Sequence, residues 1–448
     1  MLTPNSIPKK EPFISVGIVL PEDKFSSIEI QLPSSPEYYL VSDGEQCQVL
    51  KPETIVKFNL QDSTIEVIIN GEKYGEDRIW KIDPLVKPVP IYNHAGIRVK
   101  KVIAGRGFHW EKNIDVFLSG SMEVRIFDSS LIMINEVPIE QYLMCVATAE
   151  MGAACPPALI ESQTIVARSW MLANVEMKHR ALGMDVCNDD CCQRYQGTTN
   201  LSDRSIRGAL ATAGQVLMFG GKICDTRYSK SCGGITEAFE NIWNGNVVPY
   251  IQPIIDAPEG FSHPSLPLDS EEKVRLWIES SPESFCSPSV VPEKELVKYL
   301  GNVDEEGEYF RWKFRYTQKQ LTALLNLKLN LDAKNIHRIE PIKRGASGRL
   351  VLVKVIFEDG SGSIRERMIK DQYVIRESFH EIFLYSSAFV IDTEGESEIP
   401  DVFILKGAGW GHGAGYCQIG ALGMSLKGYA TEEILNHYYP GAKLNKIY

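Results

Sequence analysis

The sequence predicts an α+β chain, with a β-rich N-terminal part, a central helical pair, and a mixed β/α C-terminal part lining a substrate groove. Three observations predict it. From residue 13 to about 135, short apolar runs recur roughly every ten residues with Asp-Gly, Asn-Gly and Ser-Gly between them, an all-β pattern. At Pro138 the apolar spacing lengthens to that of a helix. Beyond residue 187, loops, short strands and helical segments alternate up to a glycine-rich stretch near the C-terminus.

The expected strands are ISVGIVL, SIEIQL, YYLVSD, TIEVIING, GIRVKKVIAG, IDVFLSG, MEVRIF and LIMIN. PIEQYLMCVATAEM then sets Ile139, Tyr142, Leu143, Val146, Ala147 and Met151 at helical spacing, with Pro138 suited to a first turn. GAACPP breaks that helix. A second helix is expected from about Ala158 to Lys178; apolar on most sides, it reads as buried and central. Residues 187–258 read as loops and short strands. An accessory stretch follows at about 259–345, with helical segments EKVRLWIES and TQKQLTALLNL. Strands resume at RLVLVKVIFEDG and YSSAFVIDT, and two short helices end the chain. The expected division is an N-terminal β-rich module, 1–96, and a second domain, 97–448.

A chain of 448 residues with 44% hydrophobic content buries a large core. Its net charge of -11 argues against nucleic-acid binding, which calls for a basic face. No apolar run is long enough to span a membrane. The opening MLTPNSIPKKEPFISVGIVL has an apolar stretch broken by Pro12 and does not read as a secretory signal. Of ten cysteines, Cys187, Cys191 and Cys192 cluster and the others are scattered, as buried small hydrophobes usually are.

Four constellations can carry chemistry. Glu150 ends an apolar helix, where the helix dipole and apolar neighbours favour retention of a proton, as a general acid requires; a solvated helix-end carboxylate is the plain alternative. Cys187, Cys191 and Cys192, with His179 eight residues upstream of the first, offer donors for tetrahedral zinc, against disulfide bonding or simple burial. In GAGWGHGAGYCQIGALG, glycines at 407, 409, 411, 413 and 415 bare one face of the chain beside Trp410, His412 and Gln418; a ligand or a neighbouring backbone could use that space. YSKSCGG places Tyr228 and Ser231 at a turn, without the Gly-x-Ser-x-Gly elbow of a serine hydrolase.

In order along the chain these segments resemble the SpoIID/LytB family. VPIEQYLMCVATAEMG followed by ALIESQTIVARSWML is similar to its Leu-Glu-x-Tyr-Leu, Ser-Glu-Met and Ala-Gln-Ala-Val-Ala-Ala-Arg-Thr signature. DVCNDDCCQRY resembles its Cys…His-Cys-Gln-x-Tyr segment, YSKSCGGITEAFENIWNG its Gly-Gly-x-Thr-Glu stretch, and GWGHGAGYCQIGALG through YYPG its C-terminal part. The resemblance spans about 97–448, with 259–310 least matched. It implies a peptidoglycan lytic transglycosylase of the cell envelope or periplasm, with Glu150 as acid/base and Arg168, Tyr195, Tyr228, Ser231, His412 and Gln418 on the glycan. It also implies a possible zinc ion held by Cys187, Cys192 and His179, with Cys191 where the family has His. Two other readings stand beside it, a glycan-binding partner of a cell-wall amidase and a zinc-dependent hydrolase.

Overall fold

The computed structural model describes residues 1–3, 6–87, 89–107, 111–173, 175–243, 245–261, 265–300 and 307–448. The chain forms two compact units. The first comprises Met1–Asp225, Lys298–Glu305 and Leu444–Tyr448; the second comprises Thr226–Val297 and Glu306–Lys443. Strands and helices both contribute heavily, so the α+β class holds.

Unit 1 is built on two large sheets, with a small three-stranded one beside them made of Lys222–Ile223, Gln215–Phe219 and Lys443–Lys446. In the seven-stranded sheet the order is Val186–Cys187, Phe13–Val19, Ser130–Pro138, Ser121–Phe127, Ile79–Pro84, Tyr38–Ser42 and Glu45–Leu50. The other runs Lys112–Leu118, Ile97–Ala104, Ser27–Gln31, Ile55–Gln61, Thr64–Ile69 and Glu72–Asp77. Strands from residues 1–96 and 97–138 thus share both sheets. Ser27–Gln31 and Thr64–Ile69 bury alternate side chains, the signature of a sheet with one covered face. Ser130–Pro138 is buried on both faces. One face joins the main core; Ile132 and Ile134 on the other pack with Leu20, Met184 and Cys187.

That second face sets the cysteine segment against the sheet. Val186–Cys187 pairs in parallel with Val16–Gly17 at its edge. Helix α1, Ile139–Glu150, is buried at every residue except Gln141, which accounts for its nearly all-round apolar sequence. Helix α2, Pro157–Ala173, ends short of the expected Lys178; Met177 turns the chain with a φ of 49°. Helix α3, Asp203–Ala211, arises where only loops and strands were expected. Ser202 caps it, accepting the Ser205 N–H at 3.2 Å.

Unit 2 holds two three-stranded antiparallel sheets. Val402–Ala408 lies between Arg311–Thr317 and Phe389–Glu394, and Leu350–Asp359 lies between Ala333–Arg344 and Ile364–Lys370. Helices Glu271–Glu279 and Gln318–Leu329 match the two expected in the accessory stretch. Tyr228–Ser229 pairs in parallel with Tyr416–Cys417, which brings the YSKSCGG turn beside the glycine-rich segment.

Candidate functional site

Glu150 is the last residue of α1, and only 8% of it is exposed. The helix stops because Met151 adopts an extended conformation and the Gly152 N–H turns to the Tyr299 carbonyl at 2.6 Å. Its carboxylate Oε1 accepts the backbone N–H of Arg194 at 3.1 Å. A loop, residues 187–195, therefore holds the acid from the far side, and the structure shows what holds the loop.

Asp189 accepts the N–H groups of Gly105 at 3.0 Å and Arg106 at 2.8 Å, and the Arg106 guanidinium also reaches Asn188 and Asp23. Gln193 donates to the Ala167 carbonyl of α2 at 3.2 Å and accepts the Tyr142 hydroxyl of α1 at 3.1 Å. Tyr195 stacks on Tyr142 with centroids 4.9 Å apart, and its hydroxyl donates to Asn135 at 2.8 Å. The Gln and Tyr of the Cys-Gln-x-Tyr motif thus fasten the loop to the helical pair.

Asp190 ion-pairs with Arg194. Burial pushes its carboxyl up to about 6; Arg194 opposes this, while Asp189 and Glu150 add to it. A second carboxyl therefore stands in the field of Glu150. Sequence reasoning passed over it, although the Asp-Asp pair between the cysteines was its signal.

At the start of the same loop, one donor atom each from His179, Cys187, Cys191 and Cys192 lies within 4.8 Å of the others. Cys191 Sγ is 3.0 Å from Cys187 Sγ, 3.6 Å from His179 Nε2 and 3.9 Å from Cys192 Sγ. Ligands bound to one zinc at roughly 2.0–2.3 Å stand about 3.3–3.8 Å apart, so this set of three sulfurs and one imidazole fits the ion once Cys187 and Cys191 move apart by about 0.8 Å. The adjacency of Cys191 and Cys192 is no obstacle. Hydrogen bonds from Cys187 and Cys192, and His179 nearby, hold the Cys191 thiol far below its ordinary range against the effect of burial.

Several residues expected on glycan have other work. Arg168 is fully buried, with Nε 2.9 Å and Nη2 2.5 Å from the Glu140 carboxylate and Nη1 3.0 Å from the Gln215 carbonyl. Glu140 also accepts the Gly214 N–H and the Tyr448 hydroxyl. Tyr195, Ser231 and Gln418 are at most 2% exposed. Side chains so enclosed offer a sugar no surface in this conformation. Tyr228 and His412 remain partly exposed.

These last two belong to unit 2. His412 Nδ1 accepts the Ala414 N–H at 3.1 Å, and its ring meets Trp243 edge to face at 4.9 Å. Burial and the guanidinium groups of Arg227, Arg376 and Arg349 push it down to about 3, so it is neutral at ordinary pH. Trp410 is no open platform: Tyr385 stacks on it at 3.9 Å and Tyr309 approaches at 4.8 Å. The glycines serve neighbouring chain. Gly413 has a φ of 77°, and a Cβ there would lie 2.1 Å from Arg349; one at Gly415, with a φ of 70°, would lie 2.2 Å from the Arg227 carbonyl. No helix among the described residues is long and apolar enough to cross a membrane.

Comparison with known proteins covers both units. Residues 128–219 match the family described as Stage II sporulation protein, SpoIID, and residues 237–415 match a domain of unknown function, DUF8618. An uncharacterized protein of Brachyspira hyodysenteriae is 23% identical over 79% of this chain and 81% of its own length. The amidase enhancer of Bacillus subtilis is 24% identical over 66% of this chain but only 39% of that protein. Stage II sporulation protein D of Bacillus amyloliquefaciens is 22% identical over 72% of this chain and 79% of that protein.

Proposed function

We propose that this chain, which carries a SpoIID domain at residues 128–219, acts on the bacterial cell wall as a lytic transglycosylase of peptidoglycan glycan strands, with Glu150 as its acid/base. The observation that carries the reading is the setting of Glu150, an almost buried carboxyl at the end of α1, with one oxygen held by the Arg194 N–H.

Glu150 gives its proton to the bridging oxygen as the bond from that oxygen to the muramic acid C1 breaks. It then takes a proton from the C6 hydroxyl, whose oxygen bonds to C1 and closes a 1,6-anhydro ring. No water is consumed, and one carboxyl serves both transfers. His179, Cys187, Cys191 and Cys192 would hold a zinc ion; four protein donors fill a tetrahedral shell, so the metal would supply structure and leave no position for a reacting water. What those residues do for the reaction is fix the loop that presents the Arg194 N–H.

The test is incubation with peptide-free glycan strands and mass spectrometry of the products. Anhydro-muramic ends are expected, and Glu150→Gln should lower their formation about 10²–10⁴-fold with the fold intact, the usual worth of a positioned acid/base. Hydrolysed reducing ends would instead make Asp190 the partner of Glu150 in a two-carboxylate mechanism and end the transglycosylase reading. The likeness to the amidase enhancer favours a second reading, in which the chain binds glycan and stimulates an amidase. Stimulation that survives Glu150→Gln, without strand cleavage, would select it.

A further inference from the structure

Unit 2 contains a second group of metal-type donors, two of which, Cys232 and Cys417, stand in the YSKSCGG and glycine-rich segments that the sequence offered for glycan rather than for metal. Cys232, Asp256, Cys286 and Cys417 come from four separate stretches of chain, yet one donor atom from each lies within 4.8 Å of the others, and all four residues are buried. Cys232 Sγ stands 3.7 Å from Cys286 Sγ and 3.3 Å from Asp256 Oδ2. We propose that these four residues bind a structural zinc ion, in a tetrahedral shell of three thiolates and one carboxylate oxygen.

Spacing is the first argument. The separations match the edge of a zinc tetrahedron, about 3.3–3.8 Å for bonds of 2.0–2.3 Å. An iron–sulfur cluster would need its cysteines spread around several metal atoms, too far apart for this packing.

Backbone N–H groups are aimed at two of the four donors, Cys232 and Cys417. The Cys232 N–H points at Cys417 Sγ at 3.2 Å, the Gly420 N–H at the same sulfur at 3.3 Å, and the Gly234 N–H at Cys232 Sγ at 3.3 Å. Neutral thiols are weak acceptors, whereas thiolates draw such donors strongly. Cys417 also caps helix Gln418–Leu426, where the dipole favours negative charge.

Asp256 is oriented as outer-sphere bonding orients a ligand. Its Oδ1 accepts the Tyr438 hydroxyl at 2.7 Å and meets His437 Nε2 at 3.3 Å, which leaves Oδ2 facing the sulfurs. Two arginines stand over the turn that bears Cys232. Arg349 donates to the Cys232 carbonyl at 2.9 Å and Arg311 to the Gly233 carbonyl at 2.9 Å. Their charge offsets the net negative charge of a zinc ion with four anionic ligands. Gly420 leaves room for the carboxylate, since a Cβ there would fall 2.4 Å from Asp256 Oδ2.

The experiment is metal counting on the full chain, by elemental analysis and native mass spectrometry. Two zinc ions per chain are expected. A chain carrying both His179→Ala and Cys191→Ser leaves unit 2 untouched and should keep one, whose X-ray absorption shows a shell of mostly sulfur. Asp256→Asn should lose that ion and keep the one in unit 1. The His179/Cys191 double variant keeps the proposal falsifiable even if Asp256→Asn fails to fold. No metal or iron in that double variant, or a Cys232–Cys286 disulfide in the native chain, would overturn the proposal. Glycan cleavage plays no part in the readout, so this result stands or falls apart from the proposed activity.

Discussion

The two cysteine clusters reach similar donor geometry by opposite routes. In unit 1 the donors lie between His179 and Cys192, on a loop with Cys191 exposed at its tip. In unit 2 they are drawn from positions as distant as Cys232 and Cys417, and all are buried. A local cluster needs little of the fold to bring it together, so its spacing in the sequence is informative. A dispersed cluster exists only once the surrounding chain has packed, and in the sequence its members look like any buried thiol. The same contrast separates local motifs from assembled scaffolds in each unit, and three substitutions probe it.

The largest effect is expected at Arg168. The family motif marks it for ligand contact, but the fold uses it to hold α2 to the start of α1 through Glu140. Arg168→Ala leaves Glu140 buried without its partner and should cost about 3–5 kcal/mol in urea-induced unfolding. Replacing both members, Arg168→Met with Glu140→Leu, should restore only part of that stability, because the Gly214 N–H, the Tyr448 hydroxyl and the Gln215 carbonyl lose their partners as well. If Arg168→Ala folds normally and only glycan binding suffers, the scaffold assignment in unit 1 is wrong.

The fold of unit 1 was legible where side-chain period was strong. ISVGIVL, SIEIQL and MEVRIF alternate or run apolar, and each is a strand. Helix α1 announced itself through the spacing from Ile139 to Val146 and through Pro138. Helix α3 escaped notice because its run from Asp203 is short and largely polar, and only Ser202 signalled its start. Of the site, the four donors from His179 to Cys192 were legible as soft and imidazole ligands close together in the sequence, although the adjacent cysteines counted against their sharing one metal. Asp190 was hidden in plain view, since its meaning depends on Arg194 folding back toward Glu150. Cys232, Asp256, Cys286 and Cys417 carried no local sign at all, because no periodicity links residues joined by tertiary packing alone.

In unit 2 the next effect falls on Gly413, a residue whose sequence context suggested room for a ligand. Its positive φ and its contact with Arg349 give it a structural reason instead. Gly413→Ala should cost about 1–3 kcal/mol from backbone strain. It should also push Arg349 off the Cys232 carbonyl and lower the zinc content of unit 2. An alanine variant of unchanged stability that binds glycan poorly would return the glycine-rich segment to a ligand-facing role.

The smallest effect, taken per unit of pH, belongs to His412. Its folded-state pKa near 3 lies below the value of about 6.5 it takes in the unfolded chain. Between those limits the unfolded chain binds the extra proton, so stability rises with pH through this window. The contribution is complete above about 6.5 and is lost as the pH falls toward 3. The slope from this one group is at most about 1.4 kcal/mol per pH unit. Carboxylates titrate over the same range, so the informative quantity is the difference between the native chain and His412→Asn, whose amide oxygen can still accept the Ala414 N–H. Denaturation midpoints at pH 4.5, 5.5 and 6.5 should converge for the two proteins toward low pH and separate as pH rises. Parallel profiles would mean that His412 protonates freely in the fold, and that Arg227, Arg376 and Arg349 do not enclose it as the structure has them.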